Sequence, residues 1–169
     1  MRTVELVCSP ELDAAVRAGW QRLAAAGLPS LARNTHPTNR PHLTLAAVDD
    51  FPPGAAARLG ALFAEVLPLP VRLDDIQVLD GSAPLVWSIH PDASLTALHA
   101  AVWDVLRDAD GHHPWHAPGR WRPHLSLALR FRDADAALAR AVLGPQGPAG
   151  SFVAGRSYHS ADRSVTPLG

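Results

Sequence analysis

Cysteine occurs once in the 169 residues, at Cys8, which excludes an intrachain disulfide and any CxxC metal or redox site. The compartment expected from this is reducing. Lysine is absent, and the 15 basic residues, all arginine, are offset by 16 acidic ones for a formal net charge of −1. Proteins that hold long nucleic acid by its backbone need a clustered positive excess, so the balance favours a small phosphorylated substrate or an RNA end over a long duplex. No apolar run approaches the roughly 20 residues of a membrane span, and Met1 to Cys8 lack the long apolar stretch of a signal peptide. A cytoplasmic protein without membrane association is expected. Glycine-rich phosphate loops of the P-loop or dinucleotide type are missing too.

With 47% hydrophobic and 18% charged residues the chain is ordinarily globular, and its length suits one domain over 1–169. Abundant alanine, arginine and proline read as genomic base composition, not as a functional signal.

The informative feature is a repeat. Arg40-Pro41-His42-Leu43-Thr44-Leu45 returns as Arg122-Pro123-His124-Leu125-Ser126-Leu127, one hydroxyl residue replacing another. In an extended strand successive side chains point to opposite faces. Arg40, His42 and Thr44 therefore share one face while Pro41, Leu43 and Leu45 share the other, and the second copy divides in the same way. Each segment predicts a strand that buries its leucines and presents a cation, an imidazole and a hydroxyl in a row, groups suited to binding and processing a phosphate. The histidines stand 124 − 42 = 82 residues apart, close to half the chain, which fits two related lobes.

Around the motifs, Thr3 to Cys8 reads as a strand and Glu11 to Ala26 as a helix capped by Ser9 and stopped by Gly27 and Pro29. Leu31 to Asn39 reads as a polar loop, and His42 to Val48 as the first motif strand. A helix follows at about Pro53 to Leu67, then strands Val71 to Leu79 and Leu85 to His90 around an Asp80-Gly81-Ser82-Ala83 turn, an antiparallel hairpin. A third helix spans Pro91 to Asp108, started by Asp92 or a neighbour. Asp110 to Trp121 is a loop, His124 to Phe131 the second motif strand and Asp133 to Leu143 a short helix. Gly144 to Gly150 reads as a flexible connection before closing strands at Ser151 to Tyr158 and Ser164 to Thr166. Short helices alternating with hairpins indicate α+β with antiparallel sheets.

The paired segments resemble the HxTx motifs of the two-histidine (2H) phosphoesterase superfamily, in particular its 2′-5′ RNA ligase or RNA 2′,3′-cyclic phosphodiesterase family. His42-Leu43-Thr44-Leu45 matches the first motif and His124-Leu125-Ser126-Leu127 the second. The resemblance implies a bilobal α+β fold with pseudo-two-fold symmetry, its motif strands facing one another across a central cleft. It also implies hydrolysis of a 2′,3′-cyclic phosphate to a 2′-phosphate, a reverse reaction that joins RNA ends through a 2′-5′ bond, and no metal or other cofactor.

Histidine's ordinary pKa of about 6.5 lets one imidazole act as base while another acts as acid near neutrality. His42 and His124 are the expected catalytic pair, and Thr44 and Ser126 the donors to the nonbridging phosphate oxygens. The symmetric motifs leave the direction of proton transfer open; the resemblance assigns His42 as donor and His124 as acceptor. Arg40, Arg122 and Arg130 are candidates to bind phosphate, Arg130 because it shares the parity of His124, and Tyr158 and His159 fall in a closing strand where similar proteins carry cleft residues. Solvated surface positions explain all five equally well or better.

Three imidazoles, His112, His113 and His116, lie within five residues and invite a metal reading, which the absence of an HExxH or cysteine pattern disfavours. Trp115 or Trp121 could stack on a base, whereas Trp20, Trp87 and Trp103 read as packing residues. The expected partner is an RNA 2′,3′-cyclic phosphate end or a small cyclic nucleotide, bound by a monomer with no evident protein partner. The alternatives are a binding module that has lost turnover and a metal-dependent hydrolase using the His112 to His116 loop.

Overall fold

Strand and helix alternate in an order that repeats once, in a computed structural model that describes residues 1–81 and 83–169. The first half runs β1 (Arg2–Cys8), α1 (Pro10–Ala25), β2 (His42–Val48), α2 (Ala55–Val66) and β3 (Leu69–Val78). The second runs β4 (Leu85–Ile89), α3 (Ala93–Val105), β5 (His124–Ala128), α4 (Ala136–Leu143) and β6 (Ala149–His159), and β7 (Ser164–Leu168) closes the chain.

The strands form one sheet in the order β2-β1-β6-β3-β4-β5, with β7 on the edge of β6 beyond β3, and every pairing is antiparallel. β2-β1-β6 on one side mirrors β5-β4-β3 on the other. The last strand of each half therefore completes the other half's sheet, and β3 and β6 pair with each other at the centre. The helices cross over as well: α1 packs on β5 and α4, while α3 packs on β2 and α2. This interlocked α+β arrangement brings the two outer strands β2 and β5 close to each other.

Local chemistry accounts for the boundaries. Ser9 caps α1 by accepting from the Leu12 amide at 3.4 Å, with Pro10 in the first turn. Gly27, at φ +76°, ends it while the Leu28 amide reaches back to the Leu23 carbonyl at 3.0 Å. Asp92 caps α3 by accepting from the Leu95 amide at 2.8 Å. Ser82, part of the expected hairpin turn, lies outside the described residues; beside it the Leu79 amide donates to the Pro84 carbonyl at 3.0 Å.

Strand parity holds at both motifs. Leu43, Leu45, Leu125 and Leu127 are at most 1% exposed, while His42, Thr44, His124 and Ser126 remain partly accessible. Trp20 and Trp87 are buried and Trp103 packs against the same core.

Three expectations need correction. The second motif strand stops at Ala128 instead of Phe131: Arg130 adopts φ +52°, and the Phe131 amide turns to the Ala83 carbonyl at 2.6 Å. The connection before the closing strand is shorter than expected, because Ala149 and Gly150 already pair with Arg72 and Val71 of β3. The third helix is confined to Ala93–Val105, its last turn giving way before Asp108.

Candidate active site

Each motif histidine is held by its own strand entrance. His42 Nδ1 lies 2.7 Å from the Arg40 carbonyl oxygen, and His124 Nδ1 lies 2.6 Å from that of Arg122. A carbonyl only accepts, so Nδ1 carries the hydrogen in both rings and Nε2 is left for chemistry. Proline at 41 and 123 supports this geometry by fixing φ between the carbonyl and the imidazole that reaches back to it.

The strands carrying the histidines are outer strands, whose outward carbonyls need partners. The Trp121 indole donates to the Thr44 carbonyl at 2.9 Å, and the Trp20 indole donates to the Ser126 carbonyl at 3.0 Å. Trp121 is also stacked on His99, ring centroids 4.0 Å apart and 3° from parallel. Of the two tryptophans singled out for base stacking, Trp121 is thus engaged in the framework, while Trp115 is 54% exposed with the Arg120 guanidinium 4.8 Å from its ring centroid.

Beyond the motifs the two sides differ. Opposite Thr44 in the sheet stands Glu5, and opposite Glu5 stands Arg156. Both are buried, at 3% and 6% exposure, and Arg156 Nε donates to Glu5 Oε2 at 2.7 Å. Thr3 donates its hydroxyl to Glu5 Oε1 at 2.7 Å. His42 Nε2 stands 3.6 Å from Glu5 Oε1, and Arg156 Nη2 stands 3.4 Å from His42 Nδ1. Neither residue was singled out from the sequence. The available signal was the presence of a charge inside a strand as apolar as Val4-Glu5-Leu6-Val7, which must find a partner to be buried.

On the other side, burial pushes the His124 imidazole below its ordinary pKa, and the charge of His42 acts in the same direction against the opposing bond to the Arg122 carbonyl. The Gly111 to His116 loop lies along β2, its His113 amide donating to the Ala47 carbonyl at 2.9 Å. Burial, with the charges of His113, His124 and His99, lowers His116 to about 4. A cavity of about 300 Å³ opens beside His124, bordered by Arg122, His113, Trp115, His116 and Arg120.

The expected arginines are placed differently from one another. Arg40 is turned toward Asp13 of α1 at 3.5 Å, which also binds Arg17. Arg122 borders the cavity and meets exposed Asp80 at 3.3 Å. Arg130 lies past the end of β5, where the strand parity that nominated it no longer applies, and it is exposed. Tyr158 shares the sheet face of Arg156, two residues further on and opposite Thr3, and His159 bonds to Asp162 at 3.0 Å. Of the loop imidazoles, that of His112 is engaged elsewhere, its Nε2 3.0 Å from the Leu106 carbonyl and its ring stacked on Trp103, while His113 and His116 border the cavity. Among the described residues no group of three His, Cys, Asp or Glu side chains is disposed to hold a metal.

An interlocked α+β sheet that sets two His-x-hydroxyl strands against each other defines the two-histidine class of phosphoesterases. A family model described as the 2′-5′ RNA ligase superfamily matches residues 10–156. The chain belongs to that superfamily, whose members are phosphoesterases and ligases. Among solved structures, E. coli LigT complexed with 3′-AMP is 16% identical with a TM-score of 0.62, the match covering 99% of this chain and 94% of that one. The MHV ns2 PDE domain is 14% identical with a TM-score of 0.54, covering 99% and 98%. Usb1 of Kluyveromyces marxianus is 10% identical with a TM-score of 0.51, covering 99% and 96%. These likenesses are of fold. No curated protein matches the chain by sequence. None of the described helices is long and apolar enough to cross a membrane.

Proposed function

We propose that the protein is a cyclic phosphodiesterase that hydrolyses 2′,3′-cyclic phosphate ends of RNA, or small cyclic nucleotides, to 2′-phosphates by paired histidine acid-base catalysis. The observation that carries the reading is the matched anchoring of two imidazoles by their Nδ1 atoms, which leaves both Nε2 atoms for proton transfer. His124, with its proton affinity lowered by burial, takes a proton from water as the water oxygen attacks phosphorus. The bond from phosphorus to the ribose 3′ oxygen breaks, and His42 supplies the proton that oxygen needs. The Thr44 and Ser126 hydroxyls donate to the nonbridging oxygens as charge builds on them. All of these roles fall to side chains, so the reaction requires no metal. With a ribose 5′-hydroxyl end attacking phosphorus in place of water, the same steps break the bond to the 3′ oxygen and leave a 2′-5′ linkage.

Arg122 borders the cavity beside His124 and is the best placed of the three arginines to attract the phosphate. Trp115 offers an accessible ring at the same cavity on which a base can stack. The neighbour LigT has been solved with ATP, NADP+ and 3′-AMP, which supports a nucleotide-sized ligand for a cleft of this fold.

A panel of 2′,3′-cyclic nucleotides and short cyclic-ended RNAs, incubated in chelator with 2′- and 3′-phosphate products resolved, tests the reading. Turnover to the 2′-phosphate is expected, and His42→Ala and His124→Ala should each abolish it while circular dichroism stays unchanged. Full activity in both variants would overturn the mechanism. Binding without turnover would identify a module that only holds such ends, and turnover lost on chelation would identify a metal-dependent hydrolase.

A further inference from the structure

The two motifs are equal, but their surroundings are not. In the first half of the sheet the row beside the motif hydroxyl reads Thr44, Glu5, Arg156; in the second the corresponding row reads Ser126, Val86, Gln77. A buried ion pair on one side is matched by a valine and an amide on the other. The pair is also oriented. Its carboxylate faces His42 Nε2 at 3.6 Å and its guanidinium lies 3.4 Å from Nδ1.

His42 Nδ1 already donates to the Arg40 carbonyl, so the proton that comes and goes is on Nε2, the nitrogen nearer the negative end. Burial of Glu5 and Arg156 keeps that field from being screened by water. The charged and titratable groups that face His42 are Glu5 from β1, Arg156 from β6 and, across the cleft, His124 from β5. Arg40 is drawn off toward Asp13 of α1.

We propose that the Glu5–Arg156 pair sets the direction of catalysis, holding the transferable proton on His42 so that His42, and not its twin, is the donor. Glu5 and Arg156 are positioning residues: they act through His42. The inference rests on the acid-base reading above and adds what breaks its symmetry. His124, which lacks such a pair and is desolvated, is left as the acceptor.

Glu5→Gln keeps the shape of the carboxylate and removes its charge, which leaves the Arg156 cation uncompensated beside His42. Because an unpaired buried arginine also destabilises the fold, the companion variant is the double E5Q/R156M, which removes the whole pair. The pH dependence of kcat/KM should show the alkaline limb displaced to lower pH, by about one unit in Glu5→Gln and less in the double variant, with the acid limb unmoved. Glu5→Asp, which keeps the charge, should restore the alkaline limb. A pair with only a structural role would instead lower the rate equally at every pH, and an unmoved alkaline limb in both variants overturns the proposal.

The imidazole titrations followed by NMR supply a readout independent of turnover. His42 should lose its proton at lower pH in E5Q/R156M than in the wild type, and His124 should not. If the wild type hydrolyses no cyclic phosphate, the acid-base reading fails, while the His42 titration still decides this inference: an unchanged curve refutes it.

Discussion

A threonine or serine two residues after each histidine lies on the same face of its strand, so the hydroxyls flank whatever the imidazoles act upon. Under the proposed mechanism their hydrogen bonds strengthen as the phosphate oxygens gain charge. Thr44→Ala and Ser126→Ala should each lower kcat by roughly a hundredfold with a smaller effect on KM, as loss of one preorganised donor does; an equal loss in KM alone would place them in ground-state binding. These positions, and the buried leucines between them, were legible in the sequence because alternation is a local property of the chain. Glu5 and Arg156 were not legible as a site. They are 151 residues apart and meet only through the pairing of β1 with β6, which no local pattern encodes. Arg130 illustrates the converse: parity nominated it, but a backbone turn at φ +52° takes it out of the strand to which the parity belongs.

Elements place the site by exchange. α1 crosses from the first half to cover β5, and its Trp20 satisfies the Ser126 carbonyl; the chain just before β5 returns the service, Trp121 satisfying that of Thr44. An outer strand has no strand partner for its outward backbone groups, and such a free edge is prone to slip or pair wrongly. The two indoles peg these edges at the motif hydroxyl residues. Trp121→Phe retains an aromatic ring over His99 but loses the donor and the indole's second ring, so it should cost about 1 kcal/mol in chemical denaturation for the hydrogen bond, with lost packing in addition, and lower kcat more than it raises KM. An unchanged denaturation midpoint would show that water replaces the indole at no cost. The helix and strand order was readable from caps, glycine stops and periodicity. The exchange of β3 and β6 between halves was not, since α+β composition alone does not say which strands pair.

At the scale of the whole molecule, the histidines couple stability to acidity. Burial lowers His116 to about 4, and it lowers His99 and His124 in the same direction. In the unfolded chain each would titrate near 6.5. Between those values the unfolded state binds more protons than the folded one, so stability rises with pH across that window. The folded state is therefore fully favoured above about pH 6.5 and loses stability as pH falls toward 4, with His116 alone accounting for roughly 3 kcal/mol. The depressed carboxyl groups of Asp162 and Asp50 act in a separate window, because their unfolded values lie near 3.8 and their contribution is lost only below it. Urea denaturation from pH 8 to pH 4 should thus give a flat stability above neutrality followed by a decline before carboxylates begin to titrate. His116→Asn should make that decline shallower by up to one proton's worth of slope; an unaltered slope would place the acid sensitivity elsewhere. Under the proposed mechanism the same burial serves the cleft at neutral pH, because His116 and His99, disfavoured as cations, leave the proton exchange to His42 and His124 and the attraction of phosphate to arginine.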